Sequence, residues 1–253
     1  GSNNDCGNSL EVTDSLFVYA TGGTTSNDFP ITTGAYSSTY NGGKADGFVV
    51  KIDPFSGSLL RSTYIGTNNY DQSYFVRRDP FNRIYLYGQS LGNMPIIGSV
   101  YNNPGRHQFI SVLDQQLTNI LLSTVFGSSL TRTDISPSAF SIDGCGNVYL
   151  SGWGGNIIFL QATGGMPLAA PIQASTDGYN FYLMSFKPNL SALTFGSYFG
   201  GPISHEHVDG GTSRFDKCGN IYQSVCAGCG GNDDFPVTPG AWPNTPGDPN
   251  HSF

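Results

Sequence analysis

Three residues near the C-terminus have the types and spacing to bind a metal. In an extended segment, alternate side chains project to one side, so His205, His207 and Asp209 would present two imidazoles and a carboxylate together. That donor set suits Zn²⁺ or another divalent ion. The same residues serve as well as polar members of a connection running into Gly210-Gly211. Glu206 falls on the opposite side, where it could support the set from behind or take no part.

Cysteine chemistry is concentrated nearby. Cys226-Ala227-Gly228-Cys229, with Cys145 and Cys218, supplies four thiols, enough for a structural zinc site, but the expected second Cys-x-x-Cys is absent. Cys218 and Cys226 read as opposite ends of one strand. Eight residues at about 3.3 Å each put them beyond bridging distance of one another. A Cys226–Cys229 bridge, a bridge to another part of the chain, and free thiols all stay open. Cys6, in Asp5-Cys6-Gly7-Asn8, sits in a context like the turns at Cys145 and Cys218, and five cysteines leave one over.

The remaining polar residues carry weaker chemical signals. Asp79, Asp143 and Asp216 invite a calcium reading, yet no Asp-x-Asp-x-Asp-Gly loop is present. Each sits where an aspartate accepts backbone N–H groups within its own hairpin turn. Asp233-Asp234 with Asp248 is a somewhat better calcium candidate. No Gly-x-Ser-x-Gly elbow and no phosphate-cradling Gly-x-x-x-x-Gly-Lys-Ser/Thr occurs, and His107 and His251 stand alone. The chain has only two glutamates, so a glycosidase pair would have to draw on its sixteen aspartates, and nothing marks two of them. Tyr36–Tyr40 and Tyr179–Tyr182 could stack on sugars or pack within the fold.

The elements that must position these residues are strands. Charged residues make up 11% of the 253 residues, with Glu and Lys nearly missing, so the solvated faces of amphipathic helices cannot be built. The chain has 33 aromatics and 49 glycines and prolines, a mixture of strand and turn formers. A formal charge of −7 with no basic cluster disfavours nucleic acid and anionic lipid as partners. No apolar run approaches the roughly 18 residues of a membrane-spanning helix.

Three patterns recur in fixed order. A strand, an Asp-led turn and a second strand appear as Phe75–Asp79 into Arg83–Gly88, Phe140–Asp143 into Asn147–Gly152, and Ser213–Asp216 into Asn220–Val225, while Phe17–Gly22 repeats the second strand alone. The turn aspartates lie 64 and 73 residues apart. A loop, Asp28-Phe29-Pro30-Ile31-Thr32-Thr33-Gly34-Ala35-Tyr36, returns as Asp234–Trp242, with fainter copies at Met94-Pro95 and Met166-Pro167. A strand pair begins at Phe48, Phe109, Phe181 and Phe253, in steps of 61, 72 and 72. Each period of 61–73 residues holds about four strands, and Phe48, Val50 and Ile52 alternate against Val49, Lys51 and Asp53.

These features predict an all-β chain, a β-propeller-like array of four-stranded antiparallel blades with about 3.5 repeats, at approximately 14–66, 73–127, 138–200 and 211–253 of one continuous domain. The first repeat is expected to lack its opening strand. The array reads as part of a larger ring, with bare edges that must be covered.

Asp28–Tyr36, Asp46–Asp53, Ser62–Gly66 and Asp143–Tyr149 together resemble the SBBP-type β-propeller repeat. The run from His205 to Trp242 is similar to large secreted proteins of Bacteroidota, which often carry PKD modules and a sorting domain for type IX secretion or gliding. The third repeat departs from the pattern, with Phe186-Lys187 where Asp53 and Asp114 stand elsewhere. The resemblance implies an extracellular, cell-surface location and other domains in a larger parent chain. In that setting disulfides among Cys145, Cys218, Cys226 and Cys229 are expected.

The expected function is a non-enzymatic interaction or structural scaffold, adhesin-like, with a protein or glycan partner. It needs no cofactor, with Ca²⁺ or Zn²⁺ the ions the motifs leave open. It binds no nucleic acid and does not insert into a membrane. The alternatives are a carbohydrate-active hydrolase or lyase using Asp and His in a central channel, and a component or cargo of a secretion complex.

Overall fold

The computed structural model describes residues 1–154, 162–207, 214–216, 220–229 and 234–240. The strands form three four-stranded antiparallel sheets, each a simple up-and-down meander. The first comprises β1 (Asp5–Val12), β2 (Val18–Thr24), β3 (Asp46–Ile52) and β4 (Leu59–Ile65). The second comprises β5 (Asp71–Arg78), β6 (Ile84–Ser90), β7 (Gln108–Leu113) and β8 (Ile120–Phe126). The third comprises β9 (Ser136–Ile142), β10 (Val148–Trp153), β11 (Phe181–Phe186) and β12 (Leu193–Phe199). Pro188–Leu190 forms a short 3₁₀ turn, and no helix among the described residues is long and apolar enough to cross a membrane.

Two expectations are corrected. The first sheet does have an opening strand, β1, which pairs with β2 from Asp5↔Thr24 to Val12↔Val18. The third strand of the third sheet is offset by one residue from its expected frame. Gly22 pairs with Phe48 and Gly88 with Phe109, but Gly152 pairs with Tyr182. Tyr182, not Phe181, therefore takes the place of Phe48 and Phe109. Such a slip exchanges the two faces of a strand, and adjacent aromatics conceal it in the sequence.

Period-two alternation then assembles the core. Ile84 and Leu86 of β6 pack with Tyr19, Val49 and Ile65 of the first sheet. Their neighbours Tyr85 and Tyr87 join Phe140, Val148, Leu150 and Phe186 of the third. The second sheet is thus sandwiched, apolar on both faces, while β5 lies against β1, β2 and β3 and β9 lies against β5.

The connection between the second and third strands of each sheet is laid along the fourth strand. Tyr64 N–H donates to Ser37 O at 3.1 Å, Ile97 and Ser123 exchange bonds of 2.9 and 3.0 Å, and Tyr198 N–H donates to Gln173 O at 3.1 Å. These bonds close an edge that would otherwise invite pairing with another chain. Two of the loops also reach forward: Tyr36 N–H donates to Leu117 O at 3.0 Å and Tyr101 N–H to Leu190 O at 2.8 Å. Leu117 and Leu190 are both buried in left-handed backbone, with φ of 57° and 56°, in equivalent turns of the following sheet.

Beyond the third sheet, β13 (His205–His207) pairs with β16 (Cys226–Cys229) and β14 (Arg214–Phe215) with β15 (Ile221–Tyr222). The register His205↔Cys229, His207↔Cys226, Arg214↔Tyr222 and Phe215↔Ile221 nests both pairs about Asp216. β14 packs against β9.

Candidate functional site

The turn aspartates are bound within their own hairpins. Asp143 Oδ1 accepts the N–H of Cys145 at 2.9 Å and of Asn147 at 2.8 Å, and Oδ2 accepts Asn147 Nδ2 at 2.8 Å and the Tyr149 hydroxyl at 3.0 Å. Asp79 accepts the N–H of Phe81 and Arg83 and pairs with Arg83 Nε at 2.7 Å. Asp216 accepts from Asn220 N–H, Asn220 Nδ2 and the Tyr222 hydroxyl. Burial alone would raise the Asp143 carboxyl. The donors from Asn147, Tyr149 and Cys145 outweigh that and hold it below the usual range.

His205 and His207 flank the buried Glu206 on β13. Each ring meets an aromatic: His205 stacks on Tyr179 with centroids 3.8 Å apart, and His207 lies 5.9 Å from Trp153. Asp209, the expected third ligand, lies outside the described residues, as do Asp233 and Asp248. Among the described residues, no three His, Cys, Asp or Glu side chains gather as a metal site would require.

Of the expected disulfide cysteines, Cys145 is a free, exposed thiol in the Asp143 turn. Cys218 lies outside the described residues, and Cys226 and Cys229 are described only as members of β16. Cys6, whose context suggested a turn, stands in β1 beside a bulge and is also free and exposed.

An open groove of about 400 Å³ is lined by Gln173, Ser175, Thr176, Asp177, Gly200 and Pro202. It is held in shape by its own bonds. Gly200 N–H donates to Gln173 Oε1 at 3.2 Å, Gly178 N–H to Thr176 Oγ1 at 2.9 Å and Tyr179 N–H to Asp177 Oδ1 at 2.9 Å. Asp177 is exposed, and its Oδ2 faces no partner in that turn.

Beneath these loops runs a row of buried carboxylates. Each sheet ends in a glycine (Gly66, Gly127 and Gly200), followed by a buried acid that leads into the next opening strand: Asp71, Asp134 and Glu206. Thr67 N–H and Oγ1 donate to Asp71 Oδ2 at 2.6 and 2.9 Å. Ser128 N–H donates to one Asp134 oxygen at 2.9 Å, and Ser128 Oγ and Ser129 N–H donate to the other at 2.7 and 3.0 Å. Glu206 Oε1 accepts Gly201 N–H at 3.0 Å and Ser204 Oγ at 2.5 Å, and Oε2 accepts Asn180 Nδ2 at 3.1 Å. The glycines are required because an added Cβ would stand 2.4–2.9 Å from a carboxylate oxygen at all three.

Two residues before Phe48, Phe109 and Tyr182, a second buried polar group opens the third strand: Asp46, His107 and Asn180. His107 Nδ1 bonds the Ser90 carbonyl at 2.8 Å. Sequence reading missed this row, since the gap from glycine to acid differs in every repeat; the recurring Gly after each fourth strand was its one visible signal.

Comparison with known proteins finds no matching family model and no similar curated protein.

Proposed function

We propose that this chain is an SBBP-type, propeller-like array of blades that acts as a secreted, cell-surface interaction scaffold for a protein or glycan partner. The blade arrangement is supported by three sheets of one topology with adjacent opening strands and by loops that tie each sheet to the next. A framework so interlocked lets its outer loops vary without loss of fold.

The observation that carries the binding role is the groove at Gln173–Asp177. It offers amide, hydroxyl and carboxylate groups on a loop fixed to β12, two residues along the chain from Tyr179. Hydrogen-bonding groups next to an aromatic face are what a sugar or a polar protein loop requires. The test is to screen the immobilised protein against glycan arrays and surface-protein fractions, with Gln173→Ala and Asp177→Ala as controls. Binding that falls at least about tenfold in both variants, roughly 1.4 kcal/mol, supports the reading. Binding unaffected by either variant, or cleavage of a polysaccharide by the wild-type chain, would replace it.

A further inference from the structure

The three junctions between successive sheets repeat one arrangement, a buried acid near a second buried polar group, and differ in that second group: Asp46, His107 and Asn180. In the third, a neutral amide faces a carboxylate: Asn180 Nδ2 donates to Glu206 Oε2 at 3.1 Å and to Gly201 O at 2.7 Å. In the second, Asp134 is surrounded by donors from Ser128 and Ser129. In the first, the corresponding groups are two acids, Asp46 and Asp71, both fully buried.

Each acid of that pair is held by one oxygen and unsatisfied at the other. Asp46 Oδ2 accepts Asn41 N–H at 2.7 Å and Asn41 Nδ2 at 3.3 Å, and Asp71 Oδ2 accepts from Thr67. Both Oδ1 atoms are buried without a hydrogen-bond partner. Asp71 Oδ2 lies 2.9 Å and Asp46 Cγ 3.2 Å from the point where a Gly66 Cβ would stand, which places the two carboxyl groups within about 6 Å of each other. Two ionised carboxylates so close and so dry repel strongly, and one proton removes the conflict.

We propose that Asp46 and Asp71 together hold one proton at neutral pH, and that the contact between the first and second sheets loosens when this proton leaves. The neutral Asp46 takes the part that the Asn180 amide plays permanently in the third junction. The titratable groups around the pair are Tyr40 from the loop before β3, Tyr64 from β4, Tyr70 ahead of β5 and, across Ser90 from Asp71, His107, whose Nδ1 bonds the Ser90 carbonyl. Lys44, two residues before Asp46, is exposed. Tyr64 is also under the influence of Asp28 and Asp5, both acids. Burial, with the Asp71 charge behind it, pushes Asp46 up to about 7 despite the Asn41 donors. Burial likewise raises Asp71, against the pull of Ser90 and Thr67.

The sign of the pH effect follows. A carboxyl raised in the folded state keeps its proton after the unfolded chain has lost it near pH 4, so stability falls between about pH 4 and about pH 7 and levels off above. Asp46→Asn removes this fall by making the donor permanent.

Thermal unfolding of wild type and Asp46→Asn across that range reads the effect. The variant is expected to melt roughly 2–4 °C above wild type near pH 8, the gap closing towards pH 5. A gap that is constant with pH, or a variant less stable throughout, overturns the proposal. Should the variant not fold, carboxyl ¹³C titration of the wild type decides: one resonance of the pair must titrate near 7, and both titrating below about 5 refutes it. Adding calcium at pH 8 separates proton from cation, because a melting rise seen in wild type and absent from Asp46→Asn would assign the space to a metal ion instead.

Discussion

The first sheet and the two that follow it share a topology and differ in what covers them. Leu10, Val76 and Phe140 occupy one register position in β1, β5 and β9, opposite Ala20, Leu86 and Leu150. Val76 and Phe140 are 0% and 2% exposed against the preceding sheet, whereas Leu10 is 61% exposed. The opening turns differ too. Asp79 and Asp143 organise the turns of the second and third sheets, while Thr13 holds that place in the first, its Oγ1 buried and unbonded. The following residue in left-handed backbone is Leu16 in the first turn, against Asn82 and Gly146 in the others. The comparison teaches that the repeat is a unit whose stability comes from being stacked. Where a neighbour is present the residues are optimised for it; among the described residues the first sheet packs chiefly against the second, and its turn is poorer.

Substitutions at matched positions sharpen the contrast. Phe140→Ala empties a site between the second and third sheets that also holds Tyr87, ring centroids 5.5 Å away. It is expected to cost about 3–5 kcal/mol in denaturant unfolding. Asp143→Ala removes the acceptor of the Cys145, Asn147 and Tyr149 donors and should cost about 1–2 kcal/mol at neutral pH. Because the Asp143 carboxyl is held below its ordinary range, its contribution is present above about pH 4 and is lost as pH falls further. Wild type and variant should therefore converge in acid. In the first sheet, Leu16→Asn relieves a left-handed leucine and should stabilise by roughly 0.5–1 kcal/mol. Leu10→Ala should change stability by less than about 0.5 kcal/mol. A loss at Leu10 comparable to that at Phe140 would mean that the first sheet is covered as the others are.

Much of this was legible in the sequence and some was hidden for definite reasons. The all-β class, the four-strand period and the Asp79 and Asp143 turns follow from Phe/Val/Tyr alternation and an aspartate leading each short turn between strands, signals that act within a few residues. β1 was hidden because Asp5-Cys6-Gly7-Asn8-Ser9 has the composition of a loop; pairing to β2, not propensity, makes it a strand. The frame of β11 was hidden because Phe181 and Tyr182 suit either face. The buried acids were hidden because they act across sheets: Asp46 reads as part of a strand-opening motif, and only folding brings Asp71 within about 6 Å of it. The stack of His205 on Tyr179 was equally invisible, since alternation places two histidines on one face without saying what faces them.

The central claim is that successive repeats are one sheet stacked face to face, and a double-mutant cycle between Tyr87 and Phe140 tests it most directly. Truncation of each to leucine, singly and together, should reveal a coupling of about 0.5–1.5 kcal/mol, as for aromatic rings in contact across an interface. Additivity of the two losses within about 0.3 kcal/mol would show that the rings do not meet, and would contradict the stacked arrangement.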